Sequence, residues 1–170
     1  MKLRDWCNAD RAAFAAMNAD ADVMRYFPAT QSRKESDASV DRCMARIKSD
    51  GFGFWAAELQ ETGAFIGFIG IQQASDYLPC APATEIGWRL DKRYWGKGLA
   101  PEGARAALQY AFERLGISEV IAITSVNNSP SRRVMEKIGM AHDAAGDFDH
   151  PMVPLESPVS RHVLYRISSS

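Results

Sequence analysis

Residues 93 to 100 read Arg93-Tyr94-Trp95-Gly96-Lys97-Gly98-Leu99-Ala100, and the reading of the fold turns on them. Upstream lies a strand-like run, Glu85-Ile86-Gly87-Trp88-Arg89-Leu90. Downstream, a helical run opens at Pro101 and continues to about Leu115. A loop with two glycines therefore joins a strand to a helix. Such a loop bends without a Cβ penalty and lets a ligand approach the backbone closely. The helix start leaves several N–H groups without partners and carries a partial positive charge. Together these make a site for phosphate or pyrophosphate.

Two common phosphate-binding patterns fail on residues. A P-loop needs GxxxxGK[ST], whereas here Lys97 alone separates the glycines. A dinucleotide fold needs GxGxxG and an acidic residue on the next strand. Here Pro101 stands at the third glycine's place, and Val120 to Thr124 ends without an acid.

Working outward, residues 2 to 6 form a short strand. Asp10 to Ala19 is Ala-rich and helical, with Asn8 or Asp10 as N-cap. Pro28 stops the aromatic segment from Val23 to Phe27 from continuing as helix. From Ser36 to about Lys48, the residues Val40, Cys43, Met44 and Ile47 recur at helical spacing. Phe52 to Leu59 and Ala64 to Gln72 read as a hairpin about the turn Glu61-Thr62-Gly63. Ala74 to Ala83 holds two prolines and reads as an exposed loop.

After the two-glycine loop, Ala104, Ala107, Leu108, Ala111, Phe112 and Leu115 share one helix face, and Gly116 ends that helix. Val120 to Thr124 is a β-branched strand. Ser129 to Ile138 is a helix with Pro130 in its first turn and Gly139 as C-cap. A strand follows near 141 to 146, then a proline-rich loop from 147 to 160, then a closing strand from His162 to Ile167. This order predicts an α/β (mixed α+β) fold, a mixed sheet with helices on both faces.

The 170 residues read as one domain, 1–170, of a size that buries a continuous core. A net charge of −1 gives no signal for nucleic acid. No apolar run approaches the ~20 residues of a membrane span. The charged start, Met1-Lys2-Leu3-Arg4-Asp5-Trp6, is unlike a signal peptide. Both point to a cytoplasmic protein. Cys7, Cys43 and Cys80 are far apart and form no CxxC pair, and the three histidines lack zinc-finger spacing, so the expectation is reduced thiols and no metal.

The run RxxGxGxA, after EIGWRL and before a long helix, resembles the acetyl-CoA signature of the GNAT family of N-acetyltransferases. The stretch Asn127-Asn128-Ser129-Pro130-Ser131-Arg132-Arg133-Val134-Met135-Glu136-Lys137-Ile138-Gly139-Met140 resembles that family's NxxSxxVxEKxGF segment, with Met140 for the usual Phe. The Rim-type branch, which acetylates ribosomal-protein N-termini, is the most similar. Val23 to Phe27 and His162 to Arg166 also look like that branch. The resemblance spans nearly the whole chain and implies a mostly antiparallel, twisted GNAT-like sheet, with acetyl-CoA as cosubstrate.

The resemblance also distributes roles. The N–H groups of Gly96, Lys97, Gly98, Leu99 and Ala100 would take the CoA pyrophosphate, with Arg93 and Lys97 adding charge. Trp88, Arg89 and Leu90 would pair their peptide groups with the pantetheine arm. Asn128 would bond the cofactor or hold its loop open; as a residue it is equally an N-cap. Glu85 is the expected base, with an ordinary surface glutamate as the alternative. Relatives carry a Tyr acid four residues before the helix-ending glycine, where this chain has Met135. Ser131 is the branch's substitute, or else a helix-capping residue. Tyr26, Phe27, Trp55 and Tyr77 are expected at the acceptor pocket, or in the core as aromatics usually are. The loop with Asp149 and His150 would cover the acceptor side, and His162 reads as structural.

The acceptor implied is a primary amine. It is a protein N-terminus by branch, or else a small molecule such as a polyamine, amino acid or amine antibiotic. A non-catalytic CoA binder stands as the alternative outside enzymes. The resemblance implies a monomer or homodimer, since relatives are often one or the other.

Overall fold

A computed structural model describes residues 1–169. Its elements, in order, are β1 (Lys2–Arg4), α1 (Asp10–Asn18), α2 (Arg33–Asp50), β2 (Phe54–Glu58), β3 (Phe65–Gln73), β4 (Thr84–Leu90), α3 (Leu99–Glu113), β5 (Glu119–Ser125), α4 (Ser129–Lys137), β6 (Ala141–His142), β7 (Phe148–Asp149) and β8 (Arg161–Ser168). The sheet runs β1-β2-β3-β4-β5-β8-β6, and β7 pairs with β8. Every pairing is antiparallel except β4 with β5. The mixed α/β class and the helices on both faces match the reading of the sequence.

Alternation along β4 sorts its side chains between the two faces. Ile86 and Leu90 join Ala104, Ala107, Leu108 and Ala111 of α3 in the main core. The small alanines let α3 lie close to the sheet, and a Cβ on Gly103 would press to 2.5 Å from Ile69. The opposite face carries a second core, in which Trp6, Phe14, Met17 and Val40 from the α1–α2 side meet Phe68. Arg4 ties that side together. It bonds Glu58 of β2 at 2.6 Å and both carboxylate oxygens of Asp10 at 2.8 Å.

Several boundaries differ from the sequence reading. Neither Asn8 nor Asp10 caps α1: Ala9 holds that place without a side-chain bond, and the Asp10 carboxylate accepts from Cys7 N–H and Arg4 instead. Helix α2 starts at Arg33 rather than Ser36, because Ser32 and Glu35 form a reciprocal capping box. Helix α3 starts at Leu99, before Pro101, since proline is at home in a helix's first turn. The stretch 141 to 146 is not one strand: two residues pair with β8, a 3-10 turn follows at Ala144–Gly146, and β7 then returns to β8 within the anticipated loop. Among the described residues, no helix is long and apolar enough to cross a membrane.

Candidate active site

Strands β4 and β5 pair at only two positions, Thr84 with Val120 and Glu85 with Ile121, and then diverge. The divergence opens a groove of about 750 Å³ through the sheet. Trp88, Leu90, Trp95, the two glycines, the first residues of α3 and the start of α4 line one side of it. Tyr26, Phe27, Glu85, Arg89, His150 and His162 line the other.

The register of β3 against β4 shows which peptide groups border the gap. Asp91 N–H bonds Ile66 C=O, so Arg89 and Phe68, two places along, form the next hydrogen-bonded pair. The peptide groups of Ile86, Trp88 and Leu90 then turn away from β3, toward the gap. Leu90 C=O is occupied by Trp95 Nε1 at 2.8 Å. The open edge is therefore Trp88 and the Leu90 N–H. The expectation that Arg89 offers its backbone there fails on parity, because its N–H and C=O belong to β3.

The two-glycine loop has the form the sequence foretold. Gly96 has φ 73° and Gly98 φ 76°, a region costly for residues with a Cβ. A Cβ on either would meet nothing within 4 Å, so space stands open beside the backbone. The N–H groups of Gly96, Lys97, Gly98, Leu99 and Ala100 have no hydrogen-bond acceptor among the described residues. Five free donors at the start of α3, beside open space, fit the pyrophosphate of CoA. Arg93 is committed to Asp91 at 2.6 Å, and Lys97 stands exposed with Nζ 5.4 Å from the Tyr94 ring centroid; neither lines the groove.

Asn128 caps α4. Its Oδ1 accepts from Ser131 N–H at 3.2 Å, and its Nδ2 donates to Thr124 Oγ1 at 2.8 Å. It thus fastens the α4 start to β5 while lining the groove. Ser131 is half-buried on the same rim, and Met135 is buried below it.

Glu85 projects on the α1–α2 face beside Gln72, its cross-strand partner. Burial pushes its carboxyl above the ordinary range, while hydrogen bonding to Gln72 and the charge of Arg46 partly oppose the shift. Arg89 projects on the same face, two pleats along. It donates to Asn18 Oδ1 at 2.8 Å, and its guanidinium lies 4.2 Å from the Phe27 ring centroid. Burial lowers its pKa to about 10.

Trp55 and Tyr77 do not join this group. Trp55 packs edge-on against Tyr110 of α3, over a separate depression. Tyr77 is exposed and meets His150 edge-on at 6.1 Å, outside the lining.

His162, read as structural, faces the groove, and so does His150 of the anticipated covering loop. Their ring centroids lie 4.8 Å apart. Burial lowers both pKa values and so favours the neutral imidazoles. His150 Nδ1 accepts from Met152 N–H, and His162 Nδ1 donates to Ser160 C=O, which leaves the His162 Nε2 lone pair free. Across from His162 on β5, the buried Ser125 hydroxyl has no partner. No motif marks these residues. Strand parity would have found Ser125 and His162 once β5 was known to border the gap.

Residues 1–141 match the model of the acetyltransferase (GNAT) domain. The chain is 33% identical over 142 residues to the uncharacterized protein YkkB of Bacillus subtilis, covering 82% of this chain and 81% of that one. It is 40% identical over 122 residues to the FsC-acetyl coenzyme A-N(2)-transacetylase of Aspergillus fumigatus, covering 68% of this chain and 51% of that longer protein. Among solved structures, an acetyltransferase (GNAT family) from Bacillus anthracis superposes with a TM-score of 0.79 at 27% identity, covering 98% of this chain and 93% of that one. The protein belongs to the GNAT acetyltransferase family and is an acetyl-CoA-dependent N-acetyltransferase.

Proposed function

We propose that this enzyme acetylates a primary α-amine by direct attack, with Glu85 as the base. The observation that carries this is the half-buried Glu85 carboxyl at the vertex of the β4–β5 groove, on the face opposite α3. Acetyl-CoA supplies the thioester. The loop from Gly96 to Ala100 holds its pyrophosphate on free N–H groups, and Trp88 holds its amides along the open edge of β4. The Leu90 N–H stands in the gap as a donor to the carbonyl oxygen that gains charge.

Glu85, directly or through one water, takes the proton that the attacking amine loses. As the C–N bond forms and the C–S bond breaks, Ser131 Oγ gives a proton to the departing sulfur and regains one from solvent. An α-amine suits this site because its reference pKa of about 8 asks less of a carboxylate than the ~10.4 of a lysine. Tyr26 and Phe27 form the acceptor wall. A peptide N-terminus, as in the Rim-type branch, presents such an amine; a free amino acid also presents an α-amine, made more basic by its own carboxylate.

A thiol-release assay with acetyl-CoA tests this against peptides with free N-termini, amino acids, polyamines and aminoglycosides. Release with α-amines, lost in Glu85→Gln and kept in His162→Gln, supports the reading. Loss in His162→Gln alone would transfer the base role to the imidazole. Silence across the panel, despite saturable acetyl-CoA binding, would refute the proposed α-amine acceptor.

A further inference from the structure

We infer that the acceptor carries a carboxylate close to its amine, and that Arg89 is the residue that binds it. The inference rests on the reading of Glu85 as base and names the class of molecule placed beside it.

The argument begins with what Arg89 lacks. Its Nη1 is satisfied by Asn18, whose own Nδ2 is anchored to Ser36 Oγ at 2.9 Å in the buried α1–α2 seam. The other edge of the guanidinium is unsatisfied. Nε is sealed from solvent without a partner, and Nη2 has none among the described residues. Nε and Nη2 form the fork that would receive a carboxylate side-on once the side chain turns the sealed Nε toward the groove.

No carboxylate among the described residues fills that role. Asp20 and Asp22, on the neighbouring turn, are held by Lys92 at 2.7 and 2.9 Å. Glu85 is four residues away on the strand, about 13 Å between Cα atoms at the usual rise. The Cys43 thiol nearby is neutral, since burial raises its pKa to about 11. A buried cation with a bare edge is costly for folding, and the rings of Phe27 and Phe68 offset that cost only in part.

The missing anion is not a phosphate of CoA. The free N–H cradle belongs to the start of α3, whereas Arg89 projects from the opposite face of β4. The anion arrives with the acceptor. The distance between Arg89 and Glu85 suits a carboxylate, a short carbon bridge, an amine and one water. A polyamine brings only positive charge to this cation and is disfavoured.

The test uses matched acceptors with the intact protein. Free α-, β- and γ-amino acids and their carboxamides are compared by kcat/KM in thiol release. A second arm compares amidated peptides with Asp or Asn after a free N-terminal residue, which separates an amino acid from an acidic peptide as the source of the carboxylate. The expected result is a preference of about 100-fold for the acid over its amide in one arm. A carboxamide's amine is the easier to deprotonate, so intrinsic reactivity runs against that preference.

In Arg89→Met the ratio should collapse toward one; Arg89→Lys, which keeps charge without the fork, should recover part of it. If Arg89→Met fails to fold, the acid-to-amide ratio of the wild-type protein decides alone. Transfer with acid and amide equal, or with polyamines preferred, overturns the role of Arg89 and leaves the transferase reading standing. Transfer to α-amines alone or to a β- or γ-amino acid is judged by its acid-to-amide ratio; transfer to none of these amines overturns both.

Discussion

At the scale of single residues, Glu85 sets a conflict between stability and chemistry. Burial raises its pKa, so its ionised form is disfavoured in the folded protein. The base must be ionised to act, so kcat/KM should fall as pH drops through a value above the ordinary carboxylate range, and Glu85→Gln should remove that limb along with about 10²- to 10⁴-fold of the rate. The linkage sign is the reverse for stability: an acid whose folded pKa is raised costs stability as pH rises through that pKa. Glu85→Gln should therefore unfold at a higher temperature than wild type in alkaline buffer; a lower midpoint would show that the ionised carboxylate is a net stabiliser. Gly98 permits a second test. Gly98→Ala adds only backbone strain of about 1 kcal/mol at positive φ, while Gly98→Asp adds a negative charge beside the five free N–H groups. Acetyl-CoA titrations should place Asp at least about tenfold weaker than Ala, since roughly 1.4 kcal/mol of repulsion suffices. Equal affinities would move the pyrophosphate elsewhere. The positions of Glu85 and the two glycines on the groove were legible because strand, loop and helix signals coincide in one short run. Arg89 was misassigned because the motif speaks for its backbone, whereas the parity it shares with Glu85 and Gly87 decides where its side chain goes.

At the scale of elements, the strands and helices were legible wherever local pattern and tertiary need agreed. Helix α3 and strand β4 are such cases, and their cores contain the anticipated Ala104, Ala107, Leu108 and Ile86. The start of α2 was readable from Ser32 and Glu35 but was placed at the first apolar repeat instead. The segment from 141 to 149 was not readable, because two-residue strands exist only through their partner β8 and have no period of their own. Trp55 and Tyr77 were named as acceptor residues on aromatic character alone, which says nothing of the face they take. Helix α4 offers the cleanest test of an element. Asn128→Ala removes its N-cap and the buried bond to Thr124, and urea unfolding should register a loss of about 1–2 kcal/mol. Asn128→Asp keeps the acceptor and loses the donor, so it should fall between; an Ala variant as stable as wild type would mean that the cap is redundant.

At the scale of the whole molecule, one cluster joins β1, α1 and β2 through Arg4. Asp10 is pushed up by burial, but the bond to Arg4 and the Cys7 N–H outweigh this and hold its pKa below the ordinary range. A depressed carboxylate contributes stability above its unfolded pKa of about 3.9, and that contribution is lost as pH falls through the folded value. Asp10→Asn should thus cost about 1–3 kcal/mol at neutral pH, and the gap from wild type should close in acid. A gap that persists unchanged into acid would trace the loss to packing instead of charge. The sheet itself carries a further consequence. With only two residue pairs between β4 and β5, it is built as two leaves on a short hinge, and under the proposed binding mode the place of the missing strand falls to the acyl donor. Substrate is then also structural material: amide protons along Trp88 and Leu90 should slow their exchange with solvent when the donor binds. At a hundredfold excess over Kd the donor would add about 2.7 kcal/mol to the resistance of the fold. Under that mode the fold would open most readily when neither acetyl-CoA nor free CoA is bound, since both carry the arm that completes the sheet.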